Sequence, residues 1–357
     1  MARVKYVFLF CFVVFLIELN VCDVKPAYCE DSNKCYRSVL EIALDPQQPD
    51  TVYMSMYGGE SNDGSGIYKS VNGGARWDKT MTGIFGQLII NTKNPSVIYS
   101  GRHKSTDGGV RWNEMKMPKS RSGSVHAYEK DILYAVIEGN IYKSIDNGEH
   151  WSIIESKWDG YVCRMIVMDP QNTETFYVCA YKEEKVTYPG RPRREGGIFK
   201  SIDGGKSWNM LLPTIEITKL VVDPNNSSII YAATYGNGVY RSTDGGKQWN
   251  TVNRGLSLFD NDAFVNTLVI DPANSNTIYI GTRVGVFKST DQGLNWKSVS
   301  NGLNMNTLVQ SLAIDLKNSN TIFAGTASVG IFKSTDAGEN WKPVNNGLPC
   351  GKSTPVR

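Results

Sequence analysis

Short apolar, β-branched stretches broken by Gly, Pro, Asn and Asp run through almost the whole chain. In one clean example, residues 219–223 (KLVVD) are apolar, 224–228 supply turn residues, and 229–234 (IIYAAT) are apolar again. A Gly-rich turn and a third stretch at 239–242 follow, and Trp249 to Val252 begins a fourth. This punctuation predicts four short strands in an antiparallel meander. The second stretch recurs as VYMSM at 52–56, IYIGT at 278–282 and IFAGT at 322–326. No segment carries a long 3.6-residue apolar period, so helices are expected to be nearly absent.

An eight-residue motif sits between the third and fourth strand of each unit. Its seven copies are SVNGGARW (70–77), STDGGVRW (105–112), SIDNGEHW (144–151), SIDGGKSW (201–208), STDGGKQW (242–249), STDQGLNW (289–296) and STDAGENW (334–341). Successive Trp residues are 35, 39, 57, 41, 47 and 45 positions apart, a period that signals a modular array. Seven of the eight Trp residues fall in the motif: Trp77, Trp112, Trp151, Trp208, Trp249, Trp296 and Trp341, so chance recurrence is excluded.

The motif has the chemistry of a tight hairpin turn. Asp107, Asp146, Asp203, Asp244, Asp291 and Asp336 can accept bonds from backbone N–H groups, and Gly supplies positive φ. Asn72 holds the equivalent place in the first copy, where its amide oxygen is an acceptor of the same kind. These side chains are expected to be structural. One carboxylate per copy is far fewer oxygens than calcium requires, so no metal is expected.

These residues resemble the Asp-box, or BNR repeat, of sialidases, xyloglucanases, sortilin-type receptors and the photosystem II stability/assembly factor-like proteins. The likeness covers residues 38–348 and implies an all-β fold, a seven-bladed β-propeller of four-stranded antiparallel blades. Residues 23–37 form a lead-in and 349–357 a tail. In length, repeat number and signal the chain is similar to the assembly factor-like group. That implies an export-side, non-catalytic platform for a protein partner, such as a membrane complex under assembly.

The enzymatic relatives imply a carbohydrate-active alternative, and a receptor or adhesin propeller is a third class. A sialidase needs an early Phe/Tyr-Arg-Ile-Pro string, whereas residues 36–40 read YRSVL. Xyloglucanase-type enzymes pair two propellers across a cleft, and only one set of repeats is present here. Glycoside hydrolysis requires two facing carboxylates. Asp159, Glu183, Glu184, Asp260 and Asp262 stand on loops, but no spacing pairs them. The sequence therefore leans away from catalysis.

Residues 1–22 have a basic start (Arg3, Lys5), an apolar core from Tyr6 to Ile17 and a polar break at Glu18. This reads as a secretory signal cleaved between 22 and 27, with a periplasmic or secreted product. LNVC at 19–22 resembles a lipoprotein box, but Val21 is large where a small residue belongs, so lipid anchoring is the less favoured alternative.

Export makes disulfides plausible. Cys163 and Cys179 fall on the first and second strands of the fourth unit and are expected to pair, and Cys29 or Cys35 could meet Cys350. With no CxxCH string and three His residues, neither haem nor zinc is indicated, and no cofactor is expected. A formal net charge of +3 gives no sign of a nucleic-acid surface, and a monomer is expected.

Strand parity places the Asp-boxes and the first-to-second turns on one face, leaving variable loops on the other. The longest of these, 181–197 (YKEEKVTYPGRPRREGG), carries Lys182, Lys185, Arg191, Arg193 and Arg194 beside Tyr181 and Tyr188. Arg with aromatic neighbours suits a carboxylate or a protein surface. Arg191, Arg193, Arg194, Tyr188 and Trp158 are the binding candidates, together with Arg164. Tyr161, Phe259 and Phe264 lie on the same side. Arg164, Thr218, Asn266 and Gln310 align along the first strands and are expected to line a central channel.

Overall fold

The computed structural model describes residues 38–349 apart from 59–63, 84–85, 120–122, 130–131, 156–159, 183–194, 257–262 and 305. Twenty-eight strands follow one another in this stretch, four to each motif-bearing repeat. Repeat one is β1 (Ser38–Leu44), β2 (Val52–Tyr57), β3 (Gly66–Ser70) and β4 (Asp78–Thr82). Repeat two is β5 (Leu88–Ile90), β6 (Ile98–Ser100), β7 (His103–Ser105) and β8 (Asn113–Glu114). Repeat three is β9 (Ser124–Glu129), β10 (Ile132–Ile137), β11 (Asn140–Ser144) and β12 (Ser152–Glu155).

Repeat four is β13 (Tyr161–Met168), β14 (Phe176–Lys182), β15 (Glu195–Ser201) and β16 (Asn209–Ile215). Repeat five is β17 (Ile217–Asp223), β18 (Asn226–Gly236), β19 (Val239–Ser242) and β20 (Asn250–Thr251). Repeat six is β21 (Ala263–Ile270), β22 (Ile278–Thr282), β23 (Gly285–Ser289) and β24 (Lys297–Ser298). Repeat seven is β25 (Val309–Ile314), β26 (Ile322–Thr326), β27 (Ile331–Ser334) and β28 (Lys342–Pro343). The described residues contain no helix.

The expectation of seven separate four-stranded blades is corrected by the sheet pairing. Five sheets are discrete and four-stranded: β1–β4, β5–β8, β9–β12, β13–β16 and β25–β28. The strands β17 to β24 instead form a single eight-stranded sheet. The cause is β18, which at 11 residues outruns its own partners. Its last two residues, Tyr235 and Gly236, pair with Phe264 and Ala263 at the start of β21.

The second strand of each repeat is the most deeply covered. β22 and β26 are buried along their whole length because both faces meet neighbouring sheets. The apolar core lies between repeats, as in the cluster joining Tyr231 and Val239 of repeat five to Leu268, Ile280 and Trp296 of repeat six. The innermost strands touch in succession, and β25 packs back against β1, so the last repeat closes on the first.

Nearly every innermost strand is interrupted at one place. Pairing with the second strand skips Leu40, His126, Arg164, Thr218, Asn266 and Gln310. A residue left over in this way is a β-bulge, which bends the strand and re-aims one side chain. The four polar residues that align in the sequence are thus the bulge residues of repeats four to seven, and His126 is a fifth polar member of the set.

Candidate functional site

The Asp-box turns close on themselves through a repeated set of bonds. In the second copy, the Ser105 hydroxyl donates to Asp107 Oδ1 at 2.9 Å and accepts from Gly109 N at 2.8 Å. Arg111 N donates to the same Oδ1 at 2.8 Å, and Arg111 Nε donates to Oδ2 at 2.9 Å. In later copies Oδ2 takes a bond from Ser207, Asn295 or Asn340. In these copies both carboxylate oxygens are engaged within the turn. These bonds hold the Asp107 carboxyl at about 2, chiefly through Arg111, and the Asp336 carboxyl at about 2 through Asn340.

Asn72 makes the two Oδ1 bonds as well, from Ser70 Oγ and Arg76 N, both at 2.9 Å. Positive φ at the fourth motif position is kept even by Asn147, Gln292 and Ala337. Asp244→Ala removes the acceptor for Ser242 Oγ and Gln248 N. The expected result is a lower melting temperature with partner binding unchanged, read by thermal unfolding beside a binding assay.

Several of these turns are also clasped by the preceding repeat. Tyr53 OH and Lys69 Nζ both donate to Gly108 O, at 2.9 and 2.8 Å. Tyr279 OH and Lys288 Nζ do the same to Ala337 O, at 3.0 and 3.1 Å. The ammonium lies 5.4 Å from the Tyr ring centroid in both pairs, a favourable cation–π placement. The polar groups of this face thus hold one repeat to the next.

The axis of the ring gathers charge from non-adjacent repeats. Lys219 Nζ on β17 lies 3.6 Å from Glu41 Oε1 on β1. His126 on β9 stands near the same ammonium, and burial together with Lys219 pulls its imidazole down to about 4. Thr218 Oγ1 donates to Val265 O at 2.5 Å, and Asn266 Nδ2 to Val309 O at 3.0 Å. Two of the four aligned polar residues thus tie one inner strand to the next. Gln310 keeps a buried Oε1 without a bond, and Arg164 pairs with Glu216.

Opposite the Asp-boxes, repeats four to six carry aromatic rings with cations laid against them. Lys182 Nζ is 4.7 Å from the Tyr161 ring centroid, and Tyr161 meets Phe199 edge-on at 5.2 Å. At the seam between β18 and β21, Tyr235 and Phe264 stand edge to face at 4.4 Å. The Arg283 guanidinium lies 3.5 Å from the Phe264 centroid and donates to Tyr235 OH at 3.1 Å. Arg164 forms an ion pair with Glu216, whose backbone O accepts from Tyr235 N at 3.0 Å.

Arg164, Tyr161 and Phe264, three of the residues expected on this face, are thus found there. Arg191, Arg193, Arg194, Tyr188 and Trp158 lie outside the described residues, as do Phe259, Asp260 and Asp262. Arg283 and Tyr235 were not anticipated. Their signal is Tyr-Gly and Thr-Arg at the ends of second strands, which is legible only once the faces are known.

The expected Cys163–Cys179 disulfide is not made, and both thiols are free and buried. The bulge at Arg164 is the reason. Register puts Cys163 opposite Ala180 and Cys179 opposite Met165. Cys163 packs with Tyr134, Ile141 and Phe176, towards repeat three. Cys179 packs with Ile198, Ile217 and Leu220, towards repeat five. A one-residue offset reverses the face of a strand residue. Burial raises the Cys163 thiol well above its ordinary range and pushes Cys179 up to about 12. Alkylation of the folded protein is expected to spare both residues, while unfolding without reductant exposes both to reagent. A cystine peptide joining them would contradict this.

Residues 237–349 match the family described as Sortilin, neurotensin receptor 3 (Sortilin-Vps10). No curated protein shows a significant sequence match to the chain. In fold, the chain is similar to the GH74 xyloglucanase from Xanthomonas campestris, with TM-score 0.71 at 14% identity. That match covers 88% of this chain and 55% of the enzyme, so the chain spans about half of the enzyme's length. The structure of YCF48 bound to D1 peptide is similar with TM-score 0.60 at 12% identity, over 84% of this chain and 93% of that one. The extracellular domain of BT4673 from B. thetaiotaomicron is similar with TM-score 0.62 at 13% identity, over 85% and 40%. At such identities the likeness concerns fold alone, and the fold is a β-propeller built from BNR-like repeats.

Proposed function

We propose that this propeller is an exported, non-catalytic platform that binds a protein partner on the face opposite the Asp-boxes. The observation that carries the reading is the set of arginines framed by aromatic rings on that face, Arg283 against Phe264 and Tyr235 with Arg164 nearby. Arg stacked on an aromatic plane keeps N–H groups for a carboxylate while its apolar surface is covered. YCF48, similar over most of its length, is bound to a peptide in its own structure, which favours a protein ligand. The extracellular placement of the BT4673 domain favours export.

The competing reading is a carbohydrate-active enzyme, favoured by the fold likeness to the xyloglucanase. Against it, Glu41 and Glu216 near the axis are each paired with a cation, Lys219 and Arg164. Glycoside hydrolysis requires two facing carboxylates, and these two each face a cation instead.

The test uses the full chain as bait in membrane extracts, with bound proteins identified by mass spectrometry. Arg283→Glu with Arg164→Glu should weaken capture about tenfold, as should charge reversal of Arg191, Arg193 and Arg194 together, and rising salt should weaken wild-type capture. Capture at wild-type strength by both variants would overturn the reading. Hydrolysis of xyloglucan or a sialoside by the wild-type protein would overturn its non-catalytic part.

A further inference from the structure

The bulges of the innermost strands put His126, Thr218, Asn266 and Gln310 at equivalent positions, and Glu41 and Lys219 each follow a bulge residue by one. These groups therefore share one level of the axis to within about 3.3 Å, the rise of one strand residue. Gln310 is brought beside Glu41 because β25 packs against β1, where Ile42 N donates to Ser311 Oγ at 3.1 Å.

Some of the polar groups at this level are already used within the fold. Thr218 Oγ1 and Asn266 Nδ2 donate to neighbouring inner strands, and Arg164 pairs with Glu216. Four groups keep bonding capacity. His126 Nδ1 and Gln310 Oε1 are buried atoms with no hydrogen-bond partner. An orphaned buried polar atom is costly, and it points to a partner that comes from outside the chain. Lys219 Nζ lies 3.6 Å from Glu41 Oε1, too far for a direct hydrogen bond. Both side chains keep about a quarter of their surface exposed, 27% and 26%, so there is room beside them inside the closed ring.

The chemistry of that space is mixed and neutral overall. The ammonium and the carboxylate offset each other, and burial with Lys219 holds the His126 imidazole near 4, which leaves it uncharged at ordinary pH. A simple anion there would face Glu41, and a simple cation would face Lys219. A hydroxyl meets neither objection, because it accepts from an ammonium and donates to a carboxylate. Its oxygen can stand about 2.8 Å from both ends of the 3.6 Å gap. A neighbouring hydroxyl on the same molecule can donate to Gln310 Oε1 or bond to His126 Nδ1.

We propose that the axis of the ring holds a small-molecule site, formed by Glu41, His126, Lys219 and Gln310, for a neutral ligand with adjacent hydroxyls such as a polyol or a free sugar. The ligand is held and not cleaved. No protein partner takes part, so the site stands or falls separately from the partner-binding reading above.

Nuclear magnetic resonance of the folded chain tests the site through His126. The chain has three histidines, and single His→Gln variants assign their ring signals. His150, 88% exposed on an Asp-box turn, is the internal control. The protein is titrated with myo-inositol, D-glucose and D-xylose. At least one of them is expected to move the His126 signal saturably, with a midpoint on the order of 1–10 mM, while His150 stays in place. Gln310→Leu is expected to weaken that response about tenfold. Glu41→Gln combined with Lys219→Met removes both charges together and is expected to abolish it. No response to any of the three compounds up to about 100 mM would mean that ordered water alone satisfies these atoms, and would overturn the proposal. A response to sodium acetate or inorganic phosphate alone would overturn it too, as would an equal drift of all three histidines. If the double variant does not fold, Gln310→Leu decides, and an unchanged response there removes the site.

Discussion

Replacing Gly347 with valine is expected to destabilise the protein by several kcal/mol, on the order of 3–5. Gly347 adopts φ of 89°, and a Cβ there would sit 2.3 Å from Trp77 O and 3.1 Å from Trp77 N. These are backbone atoms of another repeat, so no flexible side chain can yield. A β-branched residue at positive φ is strained by itself. To relieve the clash, the segment must lift away from Trp77, losing the bonds from Trp77 N to Asn346 O and from Trp77 Nε1 to Val344 O. Trp77, only 1% exposed, would then lose its cover where the last repeat closes on the first.

Gly160→Ala is the control. It also has positive φ, 83°, but nothing lies within 4 Å of its added Cβ. Only the backbone cost of roughly 1–2 kcal/mol applies there. Urea unfolding of the two variants beside the wild type measures the difference. Equal losses would mean that the bonds from Trp77 to Asn346 and Val344 contribute little to stability.

Stability is expected to fall as pH drops from about 6.5 to about 4, with His126 the largest single source. In the unfolded chain this imidazole titrates near its ordinary value of 6.5, whereas burial and Lys219 hold it near 4 in the fold. Between those values the unfolded state binds more protons, so acid favours unfolding, and the contribution is fully present only above about 6.5. A shift of this size corresponds to at most about 3 kcal/mol. Glu41 pairs with the same Lys219 and moderates its field on the imidazole. Burial lowers His103 in the same direction. The variant carrying both His103→Gln and His126→Gln should therefore lose most of the slope between about 6.5 and 5, above the range in which the depressed Asp-box carboxyls come into play. Denaturation midpoints at several pH values test it, and an unaltered slope in the double variant would exclude the histidines.

The strand order within each repeat was legible because its causes are local. Residues 219–242 predict three strands separated by turn residues, and β17, β18 and β19 fall there. The Asp-box turn was legible for the same reason, since Ser105, Asp107 and Arg111 lie within one tight turn and their bonds need no other part of the chain. The alignment of Arg164, Thr218, Asn266 and Gln310 was visible as a pattern. Their position on a bulge was not, because a bulge is a property of pairing between two strands.

What sequence alone determined is the repeat, its meander and the chemistry of its turn, all set by residues close in the chain. Tertiary structure decided the rest. Whether repeats five and six share one sheet depends on Tyr235 meeting Phe264, and on which faces Cys163 and Cys179 occupy the bulge register has the last word. The charge cluster at the axis joins Glu41, His126 and Lys219 from repeats one, three and five. Their meeting follows from closure of the ring, which brings together strands that no sequence spacing relates. The need for glycine at 347 is equally silent in the sequence, because it comes only from the backbone of Trp77 in another repeat.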